Sequence, residues 1–216
     1  MSFNQAPRRL VVATANPGKL REFRSLLAGL PFELLSLAAL ALPSPEENGA
    51  TFLANAMLKA RHAAALSGYA AVADDSGLEV DALNGAPGIY SARYAGLDAN
   101  DQANNEKLLL ALKGVARERR GARYRCALVF VDGREDAAPL VAEESWEGLI
   151  VDEPRGAGGF GYDPHFWLSD LGKTAAELDP DEKNRLSHRG RAMRALRDQL
   201  AARESDAASE SKGERA

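Results

Sequence analysis

The sequence predicts a mixed α/β protein with an extended central sheet, and three observations support this fold class. Short apolar runs of strand length alternate with amphipathic segments early in the chain, as in strand–helix units. Two long strand-like runs, 123–131 and 140–151, are joined through Asp132-Gly133, a hairpin-type pair, which predicts an antiparallel extension of the sheet. The 216 residues and a hydrophobic content of 45% suffice for one domain, or two small lobes, with a sizeable core.

The composition excludes several functional classes. A formal net charge of -4 at pH 7 argues against sequence-independent nucleic-acid binding, which requires a basic face. The single cysteine, Cys126, excludes a disulfide framework or a zinc cluster of cysteine pairs, and its strand-like setting favours a small core residue. No apolar run approaches the roughly 20 residues that span a bilayer, and the N-terminus lacks the apolar core of a secretory signal. We therefore expect a cytoplasmic protein that binds neither nucleic acid nor membranes.

The first strand and helix are predicted at 8–14 and 18–29, and the turn between them carries Thr14, Asn16 and Lys19. Free backbone N–H groups and the positive end of the helix dipole favour a phosphate at such a helix N-terminus. The spacing differs from that of a Walker A loop. The turn is therefore a candidate phosphate-binding loop of another kind.

A second strand at 32–37 and a helix at 51–66 enclose a loop that contains Glu46 and Glu47. Acids that precede a helix ordinarily stabilise its dipole. An acid at the same edge of the sheet can also reach a metal ion, so both roles stay open. Lys59 lies off the apolar stripe of this helix, either pointing toward a cleft or solvated.

Two adjacent carboxylates, Asp74 and Asp75, follow the apolar run 69–73 and precede Ser76-Gly77. This pattern predicts a buried strand that ends in a polar loop, where open α/β sheets hold ligand groups. Carboxylates in that position are candidates for a metal site or a general base. The alternative is that one of them only caps the turn.

The later part of the chain adds a helix at 100–113 and the glycine-dense loop 156–164, which carries Phe160 and Asp163. Glycines let the backbone approach a ligand, and an exposed Phe requires a cover, either the core or a purine ring.

The C-terminal helices are predicted from their caps. Asp179 and Pro180 start one helix, with Lys183 in its first turn, and Ser187 is a second cap. We expect a helix break at Ser187 that directs His188 and Arg189 into the cleft. Residues 201–216 lose the apolar period, which predicts a folded domain over 1–200 and a disordered tail.

Five motifs resemble, in order, the signature of the inosine/xanthosine triphosphate pyrophosphatases. They are T-x-N-x-x-K from Thr14, E-x-G from Glu47, ADDSGLEVDALNGAPGIYSARYAG over 73–96, GFGYDP over 159–164 and SHRG over 187–190. The resemblance covers roughly Leu10 to Leu200. It implies two lobes with a cleft between them, a homodimer, and hydrolysis of ITP, dITP or XTP to the monophosphate and pyrophosphate by attack of water on the α-phosphorus.

The resemblance also implies roles for individual residues. Glu47 and Asp75 would hold Mg²⁺, and Asp75 is also the candidate base, with Asp74 the alternative for either role. The substrate-binding residues would be Thr14, Asn16 and Lys19 at the triphosphate, Ser76, Phe160 stacked on the base, Asp163 at its edge, and Lys183, His188 and Arg189. Two alternatives remain: a pyrophosphatase for other modified or pyrimidine triphosphates, and a nucleotide sensor without turnover.

Overall fold

The computed structural model describes residues 8–30, 32–133 and 138–213, with side chains through residue 203. The elements, in chain order, are β1 (Arg8–Val12), α1 (Pro17–Leu26), β2 (Phe32–Ser36), α2 (Phe52–Ser67), β3 (Ala70–Val80), α3 (Asp101–Ala111), β4 (Gly121–Val131), β5 (Leu140–Ile150), β6 (Phe166–Leu168), β7 (Lys173–Thr174), α4 (Pro180–Leu186) and α5 (His188–Gly213).

One seven-stranded sheet organises the fold, with the strand order β2-β1-β3-β4-β5-β6-β7. The strands β2, β1 and β3 are parallel, whereas β3 to β7 pair in antiparallel fashion. The predicted mixed α/β fold with an extended central sheet, including the antiparallel extension by β4 and β5, is therefore confirmed. The division into two lobes stays a prediction.

The strand β3 corrects one expectation, because it does not end at the carboxylates. It continues through Asp74 and Asp75, which stand opposite Leu128 and Ala127 of β4. The long antiparallel partner satisfies the backbone hydrogen bonds that a polar loop would have left to solvent. The strand β1 pairs with β3 only as far as Val72, so beyond that point one edge of β3 is not covered by β1. Successive side chains alternate between faces, which directs the two carboxylates to opposite sides of the sheet.

The core packs on both faces of the sheet. On one face α1 and α5 contribute Phe23, Met193 and Leu196. On the other face α2 contributes an alanine stripe, including Ala56 and Ala60, which lets the helix backbone approach the sheet closely. A third cluster surrounds the far end of the β4–β5 hairpin. Cys126 is a free, buried thiol in the first cluster, as its strand setting predicts.

The predicted helix starts and the helix break are confirmed. The Asp179 carboxylate accepts a hydrogen bond of 2.8 Å from the Glu182 N–H and caps α4. Ser187 has extended backbone angles (φ -68, ψ 160) and separates α4 from α5. The backbone of α5 continues to Gly213, past the predicted boundary near residue 200. Side chains of 204–216 lie outside the described residues, so the tail and the domain boundary stay predictions. Among the described residues, no helix is long and apolar enough to cross a membrane.

Candidate active site

A cavity of about 460 Å³ lies where β3 extends beyond the end of β1. Every residue that the sequence assigned to metal or substrate lines this cavity: Thr14, Asn16, Lys19, Glu47, Asp75, Ser76, Phe160, Asp163, Lys183, His188 and Arg189. Asp74 is not among the lining residues. Segments from six parts of the chain thus meet in one site.

The N-terminus of α1 forms one wall of the cavity. The Asn16 side-chain oxygen accepts hydrogen bonds from the Gly18 and Lys19 N–H groups, at 2.8 and 3.1 Å, and so caps the helix. The Thr14 hydroxyl accepts from the Asn16 N–H at 3.2 Å. Because the oxygen of Asn16 is used by the cap, its amide NH₂ group is what it can offer a phosphate.

Glu47 and Asp75 are joined by a buried lysine. Lys59, only 7% exposed, places Nζ 2.8 Å from Asp75 Oδ1 and 3.2 Å from Glu47 Oε1. Burial alone would lower the pKa of Lys59, but its carboxylate neighbours raise it overall, so the lysine stays charged. Of the two expectations for Lys59, the solvated one is wrong. Burial raises the pKa of Asp75 by more than Lys59 lowers it, which favours Asp75 as a proton acceptor.

The donor set at this point fits a magnesium ion. Both carboxylates already converge on one cationic centre, Lys59 Nζ. No group of three or more His, Cys, Asp or Glu side chains in the described part of the chain could hold a metal by itself. Mg²⁺ commonly binds through one or two carboxylates, with phosphate oxygens and waters completing its shell. Glu47 and Asp75 meet that requirement.

Asp74 has a different environment from its neighbour. It is 1% exposed, and its Oδ2 accepts from Arg189 Nη2 at 2.9 Å, from Arg189 Nε at 3.1 Å and from the Ser76 hydroxyl at 3.0 Å. Lys19 Nζ lies 3.2 Å from the same oxygen. Burial alone would raise the pKa of Asp74, but Arg189 and Lys19 lower it far below its usual range. Asp74 therefore holds two cavity cations in place, and of the two carboxylates only Asp75 lines the cavity.

The loop 156–164 presents an aromatic ring and a carboxylate. The Asp163 carboxylate accepts a hydrogen bond of 2.9 Å from the Phe160 N–H of the same loop. A Cβ at Gly159, which has φ +72°, would lie 2.0 Å from Asp163 Oδ2, so this position requires glycine. The Phe160 ring reaches the N-terminus of α1, where a Cβ at Gly18 would lie 2.7 Å from the ring. The aromatic wall and the wall formed by the N-terminus of α1 are therefore adjacent.

Asp163 is held by a network of buried polar groups. It is 2% exposed and accepts from Lys183 Nζ at 2.6 Å and from the Tyr124 hydroxyl at 3.1 Å. Lys183 Nζ also lies 3.1 Å from Glu22 and 4.8 Å from the centre of the Phe160 ring. Burial alone would lower the pKa of Lys183, but Asp163 and Glu22 raise it overall. The pair thus offers a fixed acceptor and a fixed donor beside an aromatic face.

His188 and Arg189 are both turned inward, as the helix break at Ser187 predicts. Arg189 donates to Glu22 and to the Ser76 hydroxyl, in addition to Asp74. The His188 ring stacks on Tyr124 with 4.8 Å between the ring centres. Burial lowers the pKa of His188 well below its usual range, so the imidazole is neutral.

Several contributors to the site were not assigned from the sequence. Glu22 pairs with both Lys183 and Arg189, and Tyr124 binds Asp163. Glu22 lies one helical turn after Lys19, which is the only sequence signal that could have placed it at the same wall. Tyr124 is indistinguishable in the sequence from an ordinary core aromatic residue of β4.

The fold and the cavity define a class of protein: a mixed α/β protein whose cavity has a cationic, carboxylate-bearing end and an aromatic end. Residues 10–199 match the Ham1 family, and the chain belongs to that family. The resemblance predicted from the motifs is therefore confirmed.

Individual relatives cover nearly the whole chain. The dITP/XTP pyrophosphatase of Yersinia pseudotuberculosis is 55% identical over 193 residues, which is 89% of this chain and 98% of the relative. The dITP/XTP pyrophosphatase of Escherichia coli strain K12 is 52% identical over 193 residues, with the same 89% and 98% covered. The solved structure of a HAM1 protein from Coxiella burnetii has a TM-score of 0.82 and 45% identity, over 90% of this chain and 99% of that one.

Proposed function

We propose that this protein hydrolyses deaminated purine nucleoside triphosphates, namely ITP, dITP and XTP, to the monophosphate and pyrophosphate. One observation carries the proposal: a single cavity contains a carboxylate–lysine cluster beside a helix N-terminus and, next to it, an aromatic ring with a donor–acceptor pair. The first part suits a triphosphate and the second suits a base. The relatives named dITP/XTP pyrophosphatase are similar in sequence to this chain over nearly their whole length.

Asp75 is the proposed base for the water that attacks the α-phosphorus. It lines the cavity, whereas Asp74 does not. Lys59 and Lys19, with the amide NH₂ group of Asn16, would bind the phosphate oxygens. Mg²⁺, held by Glu47 and Asp75 with oxygens of the substrate, would neutralise charge on the departing pyrophosphate.

The base would be selected by Lys183 and Asp163. Hypoxanthine and xanthine present a 6-oxo acceptor and an N1–H donor, which match the ammonium of Lys183 and the carboxylate of Asp163. Adenine reverses both groups. Each mispaired buried polar group costs about 1–3 kcal/mol, so two of them supply roughly 30- to 10⁴-fold rejection of ATP.

Guanine shares the 6-oxo and N1–H groups, so its rejection depends on the 2-position. A donor there would leave the 2-amino group of guanine unpaired but would donate a hydrogen bond to the 2-oxo group of xanthine. His188 Nδ1 is buried without a hydrogen-bond partner among the described residues. His188 is therefore a better candidate than Arg189 for the donor at the 2-position, because the donors of Arg189 already bind Asp74, Glu22 and Ser76.

The resemblance to the inosine/xanthosine triphosphate pyrophosphatases also leads us to propose a homodimer that acts on free nucleotides in the cytoplasm.

The test of the proposed reaction is pyrophosphate release from a panel of ITP, dITP, XTP, GTP, ATP and pyrimidine triphosphates, with and without Mg²⁺. Rapid release from the deaminated purines alone supports the proposal. Preference for a pyrimidine triphosphate would favour the rival substrate class. Tight ITP binding without pyrophosphate would identify a sensor.

A further inference from the structure

Two side chains of α2 connect Asp75 to the loop that carries Glu47. Asn55 and Lys59 are four residues apart, so they lie one above the other on the same face of the helix. Lys59 Nζ contacts Asp75 Oδ1 at 2.8 Å, and the Asn55 amide donates to the other oxygen, Oδ2, at 3.2 Å. On the loop side, Lys59 contacts Glu47 at 3.2 Å, while the Asn55 carbonyl oxygen accepts from the Gly49 N–H at 2.8 Å. Each residue therefore bridges the same two segments.

Asn55 is fully buried, with 0% exposure, so both of its bonds form without competition from water. Its partners leave no choice of amide orientation, because a carboxylate only accepts and an N–H only donates. The contact with Gly49 is tight: a Cβ at Gly49 would lie 2.5 Å from the Asn55 oxygen. Asn55 itself does not line the cavity, so it acts on the cavity only through Asp75 and the loop that carries Glu47.

We propose that Asn55 is a positioning residue for divalent-cation binding, which sets the orientation of the Asp75 carboxylate and its separation from Glu47. The inference rests on the proposed function for the assignment of Glu47 and Asp75 as the cation-binding pair. Lys59 alone cannot fix this geometry, because a single-point contact with a flexible ammonium leaves a carboxylate free to rotate about its axis. Asn55 removes that rotation by holding the second oxygen.

Groups that orient metal-binding residues typically contribute about 10- to 100-fold in metal affinity. Asn55→Leu keeps the side-chain volume and removes both hydrogen bonds without adding a ligand. We expect the Mg²⁺ concentration for half-maximal activity to rise by that factor of about 10 to 100, with KM for ITP at saturating Mg²⁺ unchanged. Gly49→Ala places a Cβ 2.5 Å from the Asn55 oxygen and 3.0 Å from Ala54 Cβ and the Asn55 nitrogen, so it pushes the loop away from Asn55 and should produce a smaller shift in the same direction.

The matched control is Asn104→Leu. Asn104 is also a buried helical asparagine; unlike Asn55 it lines the cavity, but it binds the backbone of Ala95 and Ala92 rather than a carboxylate. It should lose stability without a change in the Mg²⁺ requirement. If Asn55→Leu does not fold, Gly49→Ala still tests the bridge.

A second readout does not depend on turnover. Mn²⁺ binding is titrated by electron paramagnetic resonance with the folded protein, alone and with the α,β-methylene analogue of ITP. A weaker Mn²⁺ affinity in Asn55→Leu and Gly49→Ala, but not in Asn104→Leu, supports the role of Asn55. Wild-type Mn²⁺ affinity in both bridge variants overturns it. Failure of the wild type to release pyrophosphate, with Mn²⁺ binding intact, would instead contradict the proposed function.

Discussion

Replacement of the two neighbouring carboxylates by Asn should affect different properties: stability for Asp74 and turnover for Asp75. Asp74→Asn removes the charge that pairs with Arg189 and Lys19 inside the protein. Loss of one partner of a buried ion pair costs about 3–5 kcal/mol. Arg189 keeps its contact with Glu22, so we expect the lower value. For a chain of this size about 3 kcal/mol corresponds to a fall in Tm of roughly 6–12 °C.

Asp75→Asn should leave Tm nearly unchanged, because the raised pKa of Asp75 means that burial destabilises its charged form by more than its cationic neighbours stabilise it, and Lys59 retains Glu47 as a partner. Removal of a general base lowers kcat by about 10²- to 10⁴-fold, and loss of a metal ligand adds to that. The surface control is Asp81→Asn, whose side chain is 54% exposed and pairs with the 30% exposed side chain of Arg123. An exposed pair contributes only about 0–1 kcal/mol, so neither Tm nor kcat should change appreciably.

Thermal unfolding by calorimetry and pyrophosphate release at saturating ITP measure both quantities on the same preparations. We expect a large Tm loss only in Asp74→Asn, and a kcat loss on folded protein in Asp75→Asn. Turnover of Asp75→Asn within a few-fold of wild type would remove that residue from the mechanism. An Asp74→Asn protein of wild-type stability would show that the buried ion pairs of Asp74 contribute no net stability.

The remaining predictions concern the base end of the cavity and the C-terminus. Tyr124→Phe removes a hydrogen bond to the charged Asp163, worth about 1.5–3 kcal/mol, and should raise KM for ITP and weaken base preference more than it lowers kcat. Lys183→Ala should mainly erode discrimination of ITP against ATP; a common fall in kcat/KM for ITP, XTP, GTP and ATP would assign Lys183 to phosphate or structure instead. The pKa of His188 is lowered in the folded state, so as the pH falls the unfolded chain binds a proton at this histidine before the folded protein does. The free energy of unfolding should therefore decrease below about pH 6.5. Denaturant midpoints measured between pH 7.5 and 5.5 should show this decrease, and it should be smaller in His188→Gln. Truncation after Arg203 should preserve both Tm and turnover, and a clear drop in either would show that the removed segment docks on the protein.

Local features of the fold could be predicted from the sequence because their causes are local. Asn16, Asp179 and Ser187 mark helix boundaries through hydrogen bonds to residues two or three positions away, and the structure contains each of these bonds. The end of β3 was misplaced for the opposite reason. Asp74 and Asp75 resemble a strand terminator, but their strand continues because β4, more than fifty residues later, pairs with it throughout.

The candidate site was also predictable only in part. Its motif residues could be identified from the order of the motifs, and the structure brings them to one cavity. The partners of those residues could not be identified, because an ion pair such as Glu22–Lys183 joins α1 to α4 across most of the chain. Lys59 could be placed on a helix but not in the site, since its environment depends on how closely the alanine face of α2 approaches the sheet.

The pairing of charges in the cavity bears on why a metal ion would be required. Lys19, Lys59, Lys183 and Arg189 line the cavity, and each has a carboxylate oxygen within 3.2 Å. These carboxylates limit repulsion among neighbouring cations and fix their positions. They also cancel most of the positive charge that a triphosphate would otherwise meet. Under the proposed function, these side chains would orient the phosphates but leave little positive charge to neutralise them, and a divalent cation that enters with the substrate would supply the difference.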